Sequence, residues 1–179
     1  MSIQIFILSK LMEDNNYPYK LKKQLSKPIP LDELGGLTES KLYYHFDSLA
    51  KKGLIEAVEI IKEENRPDKQ VYAITDEGRQ ELSNKIYQLF EDADSINEMV
   101  IGIATLKYVN RDKVVEILER KVENIKVRWG TAKRFESKIA KDKDNEKLMK
   151  FLGSYFSKSI DDKIYWLEKL INRIQQGEI

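Results

Sequence analysis

A single histidine, His45, stands in a chain of 179 residues that has no cysteine. A metal site wants other histidines or thiolates beside it, and the sequence offers none. General acid–base catalysis wants an arranged partner in a pocket. No Gly-rich phosphate loop, nucleophile constellation or pocketed carboxylate pair is visible, so no catalytic residue, metal ligand or cofactor is expected and the chain is not read as an enzyme. His45 is expected to be a surface or groove-side polar residue. The chemistry that remains is contact. The stretch SKLYYHFDSLAKKGLIE, residues 40–56, gathers Ser40, Lys41, Tyr43, Tyr44, Lys51 and Lys52 around that histidine. Tyrosine hydroxyls and lysine ammonium groups suit phosphate, and tyrosine rings suit sugars and bases.

Such groups need a scaffold. Leu42, Phe46 and Leu49 recur at intervals of 4 and 3, which predicts one buried helical stripe with a polar, aromatic front. Thr38 and Glu39 suit the start of this helix, and Gly53 suits its end. Before it, residues 2–13 carry apolar residues on two sides, as in a helix buried on two sides. Asp14-Asn15-Asn16 stops that helix, and Pro18 opens a short second one over about 18–26. Lys27-Pro28-Ile29-Pro30 ends it, and Gly35-Gly36 gives a turn. After the third helix, Leu54–Ile61 and Gln70–Ile74 read as a β-hairpin with a charged tip. Asp76 is expected to cap a helix over about 77–94.

The remainder reads as helix throughout. Segment 95–108 is followed by 111–141 and 144–175, two long helices joined by Asp142–Asn145 and therefore antiparallel. Val114, Leu118, Val122, Ile125 and Trp129 on one, and Ile160, Ile164, Leu167 and Ile171 on the other, recur at intervals of 3 and 4. That seam spacing predicts a dimer interface, with a second subunit covering what two helices leave exposed. The expected division is 1–92 and 93–179. The fold class is mainly α with a small β-hairpin: a winged helix-turn-helix followed by long antiparallel helices.

Three short helices and a hairpin make that winged pattern, whose third helix fits a major groove about 12 Å wide. The residues now carry a resemblance. IFILSKLMEDNNYPYKLKKQL, SKLYYHFDSLAKKGLIE and NRPDKQVYAITDEGRQEL together resemble the PadR family of bacterial transcriptional regulators. The most specific element is Tyr-x-Ile-Thr-x-x-Gly-Arg closing the wing, here Tyr72, Ile74, Thr75, Gly78 and Arg79. The resemblance covers residues 1 to about 90. The long helical tail is similar in type to that of the longer members, the AphA-like virulence regulators. One departure is Pro18 before Tyr19, where members usually carry glycine. The resemblance implies a homodimeric repressor or activator, with repression the expected sign. Its two reading helices would meet a pseudo-palindromic DNA operator with half-sites about 10 bp, or a multiple, apart. A small aromatic effector is the expected kind of releasing ligand.

Each contact residue has a plainer alternative. Tyr43 either touches DNA or packs on the first helix or the wing. Ser40 and Lys41 lie where such helices touch bases and phosphates, and Lys41 could equally be solvated. Lys51 and Lys52 either meet the backbone or serve the helix dipole. Arg66 and Lys69 flank the wing tip with Lys62, among Glu63, Glu64 and Asp68. Lys20, Lys22 and Lys23 could follow the backbone or form a solvated face. Trp129, Phe135, Tyr155 and Trp166 line an effector pocket or else belong to the core or dimer interface. Residues 1–80 hold 12 Lys and Arg against 13 Asp and Glu, a net of −1. That near-neutral balance supports an alternative, a winged-helix protein-interaction module with a helical oligomerisation tail. The whole chain carries +1, so any nucleic acid must be met by a local patch. No apolar run nears the roughly 20 residues that span a bilayer, and Ile3–Leu8 is too short for a signal peptide. A soluble cytoplasmic protein with no membrane partner is expected.

Overall fold

A computed structural model describes residues 1–25, 41–62, 68–139 and 146–179. The chain divides into two compact units, Met1–Asn110 and Arg111–Ile179.

The first unit is built round α1, Ser2–Leu11. Ile5, Phe6, Ile7 and Leu8 are all buried, so this helix has no solvent face along its middle. Ser9 is buried with them, and its hydroxyl donates to the Phe6 carbonyl at 2.8 Å, which removes the cost of an unpaired group. The two apolar stripes in the sequence therefore mean burial on two sides. α2, Pro18–Lys22, starts with proline at its first turn, where a missing N–H costs nothing. The expected Thr38 cap, the Lys27–Pro30 stop and the Gly35-Gly36 turn lie outside the described residues. α3, Leu42–Lys51, buries Leu42, Phe46 and Leu49 as the spacing predicts. It packs against α1, α2 and the first wing strand.

Gly53 at φ 70° turns the chain out of α3. The wing is β1, Ile55–Ile61, paired antiparallel with β2, Lys69–Ile74. Ile55 faces Ile74, and Ile61 faces Lys69, with a bulge between Ala57 and Glu59. Asn16 extends this small sheet. Its backbone N–H donates to Tyr72 O at 3.0 Å, and its carbonyl oxygen accepts the Tyr72 N–H at 2.8 Å. α4, Asp76–Asp92, follows at once.

Its cap is Thr75 rather than Asp76. The Thr75 hydroxyl accepts the Gly78 N–H at 3.0 Å and donates to the Gly53 carbonyl at 2.7 Å. Asp76 sits in the first turn, where its charge suits the helix dipole. A Cβ on Gly78 would overlap the Leu54 carbonyl oxygen and lie 2.8 Å from Ile74 Cγ1. The signature residues of the sequence are thus a joint: Ile74 is buried, Thr75 caps, and Gly78 lets α4 touch the start of the wing.

α5, Ile96–Ala104, is capped by Ser95 and buries Met99, Ile101 and Gly102. A Cβ on Gly102 would lie 3.0 Å from Phe90 Cζ, so α5 closes directly on α4. The first compact unit accordingly runs on to Asn110. A 3-10 turn, Leu106–Tyr108, completes the unit; Lys107 pairs with Glu13 at 2.9 Å and the Tyr108 hydroxyl donates to Ser9 O at 3.2 Å.

The second unit is α6, Arg111–Ile139, and α7, Glu146–Gln175. Lys126 pairs with Glu168 at 2.8 Å, and Gln175 donates to Glu119 at 3.4 Å. One number falls as the other rises, so the helices run antiparallel. The joining residues Asp142–Asn145 lie outside the described residues.

Candidate nucleic-acid interface

The buried stripe of α3 fixes what the opposite side presents. Lys41, Tyr43, Tyr44, Asp47 and Lys51 are exposed, Tyr43 by 54% and Tyr44 by 70%. Large rings left in water on a helix whose back is fully buried are available for contact. His45 lies between the two sides. Its ring meets Tyr44 edge-on at 5.2 Å, and Nδ1 is buried with no hydrogen-bond partner among the described residues. Burial, reinforced by the N-terminal ammonium group and Lys41, holds its pKa below the ordinary range. Ser40 and Arg66 lie outside the described residues.

The wing approaches this front from one side. Tyr17, Pro18 and Tyr19 from the start of α2 and Tyr43, Phe46 and Asp47 from α3 line one side of a cavity of about 600 Å³. Asp68, Lys69, Gln70 and Tyr72 from the wing line the other. Phe46 and Tyr72 form its floor, with ring centroids 5.2 Å apart and both rings buried. The Tyr72 hydroxyl donates to Gln70 Oε1 at 3.1 Å. Burial raises the Tyr72 pKa, and the Asp47 carboxylate raises it further. Lys69 Nζ stands 5.6 Å from the Tyr17 ring centre, within cation–π range. Of the α2 lysines, Lys20 pairs with Asp14 at 3.4 Å; Lys23, at the helix end, lies 4.8 Å over the Tyr19 ring.

The structure therefore brings Tyr43 and Lys69 to one cavity and leaves Lys41, Tyr44 and Lys51 on the open front of α3. Tyr17, Tyr19, Asp47, Asp68 and Tyr72 were not read from the sequence as lining a common site; Tyr72 was noted only as part of the wing signature. The density of tyrosines was the available signal, since four of the nine in the chain line this one cavity.

In the second unit, Val114, Leu118, Val122, Leu167 and Ile171 are buried within a single chain. Ile125, Trp129, Ile160 and Ile164 are half-buried. Tyr155 and Trp166 are exposed by 59% and 58%, on one face of α7 but about 16 Å apart along its axis. The Phe135 side chain lies outside the described residues.

Residues 7–84 match a family model described as the Transcriptional regulator PadR-like family. No curated protein matches the chain. Among solved structures, a transcriptional regulator from Clostridium thermocellum is 32% identical, with 48% of this chain and 79% of that one covered and a TM-score of 0.40. A PadR family transcription regulator from Clostridium difficile R20291 is 26% identical, covering 48% and 83%, with a TM-score of 0.39. Bacillus subtilis PadR in complex with operator DNA is 16% identical, covering 97% and 99%, with a TM-score of 0.46. The matched region runs from within α1 through α3 and the wing to the joint with α4, so the chain carries, at residues 7–84, a domain of the PadR-like family of transcriptional regulators.

Proposed function

We propose that the chain binds a pseudo-palindromic operator as a homodimer and acts as a repressor, with a small aromatic effector releasing it. The observation that carries the reading is the front of α3. It exposes Lys41, Tyr43 and Tyr44 outside the fully buried stripe of Leu42, Phe46 and Leu49, with Tyr44 opposite the stripe and the other two on its flanks. Lys41 supplies charge for phosphate, which tolerates loose geometry. The tyrosines supply hydroxyls and flat faces for backbone and base edges. Lys51, Arg66 and Lys69 are the proposed flanking contacts. Placement among the longer, AphA-like members rests on the two helices of the second unit. The four aromatic residues Trp129, Phe135, Tyr155 and Trp166 remain the proposed place for an aromatic effector.

Fluorescence anisotropy with the duplex upstream of the protein's own gene tests this, at two salt concentrations and against a shuffled duplex. The native duplex is expected to bind at least 10³-fold more tightly. Lys41→Ala should weaken both duplexes and flatten the salt dependence, while Tyr43→Ala should narrow the gap between them. Equal weak binding of both duplexes, together with no enriched fragment in a genome-wide pull-down, would favour the protein-interaction module that the net charge of −1 over residues 1–80 suggests.

A further inference from the structure

We propose that the cavity between α2, α3 and the wing is a binding site for a small organic cation with an apolar body, such as a quaternary ammonium or a protonated arylalkyl amine. Its rings come from Tyr17, Tyr19 and Tyr43, over a floor of Phe46 and Tyr72. Tyrosine faces carry negative quadrupole charge and attract cations within about 6 Å. The chain already demonstrates this with its own ammonium, since Lys69 Nζ lies 5.6 Å from the centre of the Tyr17 ring.

The charge on the walls selects the ligand. Asp47 and Asp68 stand against Lys69, so the described lining carries a net −1. A phosphate or an aromatic carboxylate entering here would meet two carboxylates. A cation meets two carboxylates and the faces of the rings, where it competes with Lys69 over Tyr17 and Lys23 over Tyr19. The volume of about 600 Å³ is in the range of small-molecule sites and exceeds what a lone metal ion needs. Among the described residues no cluster of three metal-ligating side chains occurs, which also favours an organic cation over a metal.

Occupation has a consequence that rests on the reading of α3 as the DNA-contacting helix. Tyr43 and Lys69 belong both to the cavity and to the proposed DNA face, so a bound cation opposes duplex binding.

The test is calorimetric titration of the full chain with phenyltrimethylammonium, with 2-phenyl-2-propanol as neutral counterpart and benzoate as anionic one. Saturable binding of the cation is expected, with the alcohol and the acid at least about tenfold weaker. Asp47→Asn and Tyr43→Ala should each weaken the cation by about tenfold. Both positions are exposed, so neither change threatens the fold. No saturation, equal binding of the neutral alcohol, or indifference to both substitutions would overturn the site. No DNA is present in this titration, so its outcome is independent of the operator reading. Anisotropy at matched ionic strength then addresses the consequence. Duplex release by the cation from wild type but not from Asp47→Asn supports it, and a duplex retained at saturating cation overturns the competition.

Discussion

Thr75 and Gly78 show how two small side chains join a wing to a helix. Thr75 satisfies one orphan N–H of α4 and holds the Gly53 carbonyl at the end of α3. Thr75→Ala should cost about 1 kcal/mol, the usual loss for a helix cap, seen as a lower urea midpoint with unchanged slope. Gly78→Ala should cost more, about 1–3 kcal/mol, because its methyl group meets the Leu54 backbone, which yields less easily than a side chain. If the order of the two losses were reversed, the close approach at Gly78 would not be what stabilises the joint. His45 gives a pH dependence. Its folded pKa is depressed, so below the ordinary value of 6.5 the unfolded chain takes up a proton that the folded chain resists. Stability attributable to His45 is constant above that value and falls as pH drops from 6.5 through the folded pKa. His45→Gln should remove this component, so the stability difference between wild type and variant should change across that window and level off above it.

At the scale of elements, the outcome turned on which signals are periodic. Leu42, Phe46 and Leu49 were legible as a stripe because three or four residues separate neighbours on one face. The hairpin was legible from its β-branched runs and charged tip. Asn16 was not, because its part in the sheet is made by backbone groups that any residue carries. Asp76 was expected to cap α4, since it and Thr75 are both good caps and only the hydroxyl geometry distinguishes them. The cavity was also hidden in the sequence, because Tyr17, Tyr43 and Tyr72 come from separate elements and share no spacing. α5 looked like the first helix of a helical tail, yet Met99, Ile101 and Gly102 face the core of the first unit. A consequence follows for fragments. Residues 1–110 should unfold cooperatively in urea. Residues 1–92 should be several kcal/mol less stable, since losing α5 strips cover from Leu89 and Phe90 at about 1.5–3 kcal/mol for each large side chain exposed. Equal midpoints would place α5 outside the cooperative unit.

At the scale of the whole molecule, the question is what remains to join two copies. The seam residues Val114, Leu118, Val122, Leu167 and Ile171 are already buried within one chain. α7 carries a second stripe. Leu148, Phe151, Tyr155 and Trp166 share one face of the helix, about 120° round from the buried side at 100° per residue. All four are more than half exposed, and large apolar residues lined up in this way mark an interaction surface. A homodimer of the proposed kind would have this stripe available besides the half-buried seam residues Ile125, Trp129, Ile160 and Ile164. Trp166→Glu with Phe151→Glu places charge on the stripe without touching the seam, so the fold should persist while association weakens. Sedimentation velocity should show a dimer in wild type and a monomer at the same concentration in the double variant. Operator affinity should fall with it, because two half-sites bound by one dimer gain an effective concentration that separate monomers lack. A double variant that remained dimeric would remove this stripe from the interface. One that became monomeric yet bound the operator unchanged would show that recognition does not depend on pairing.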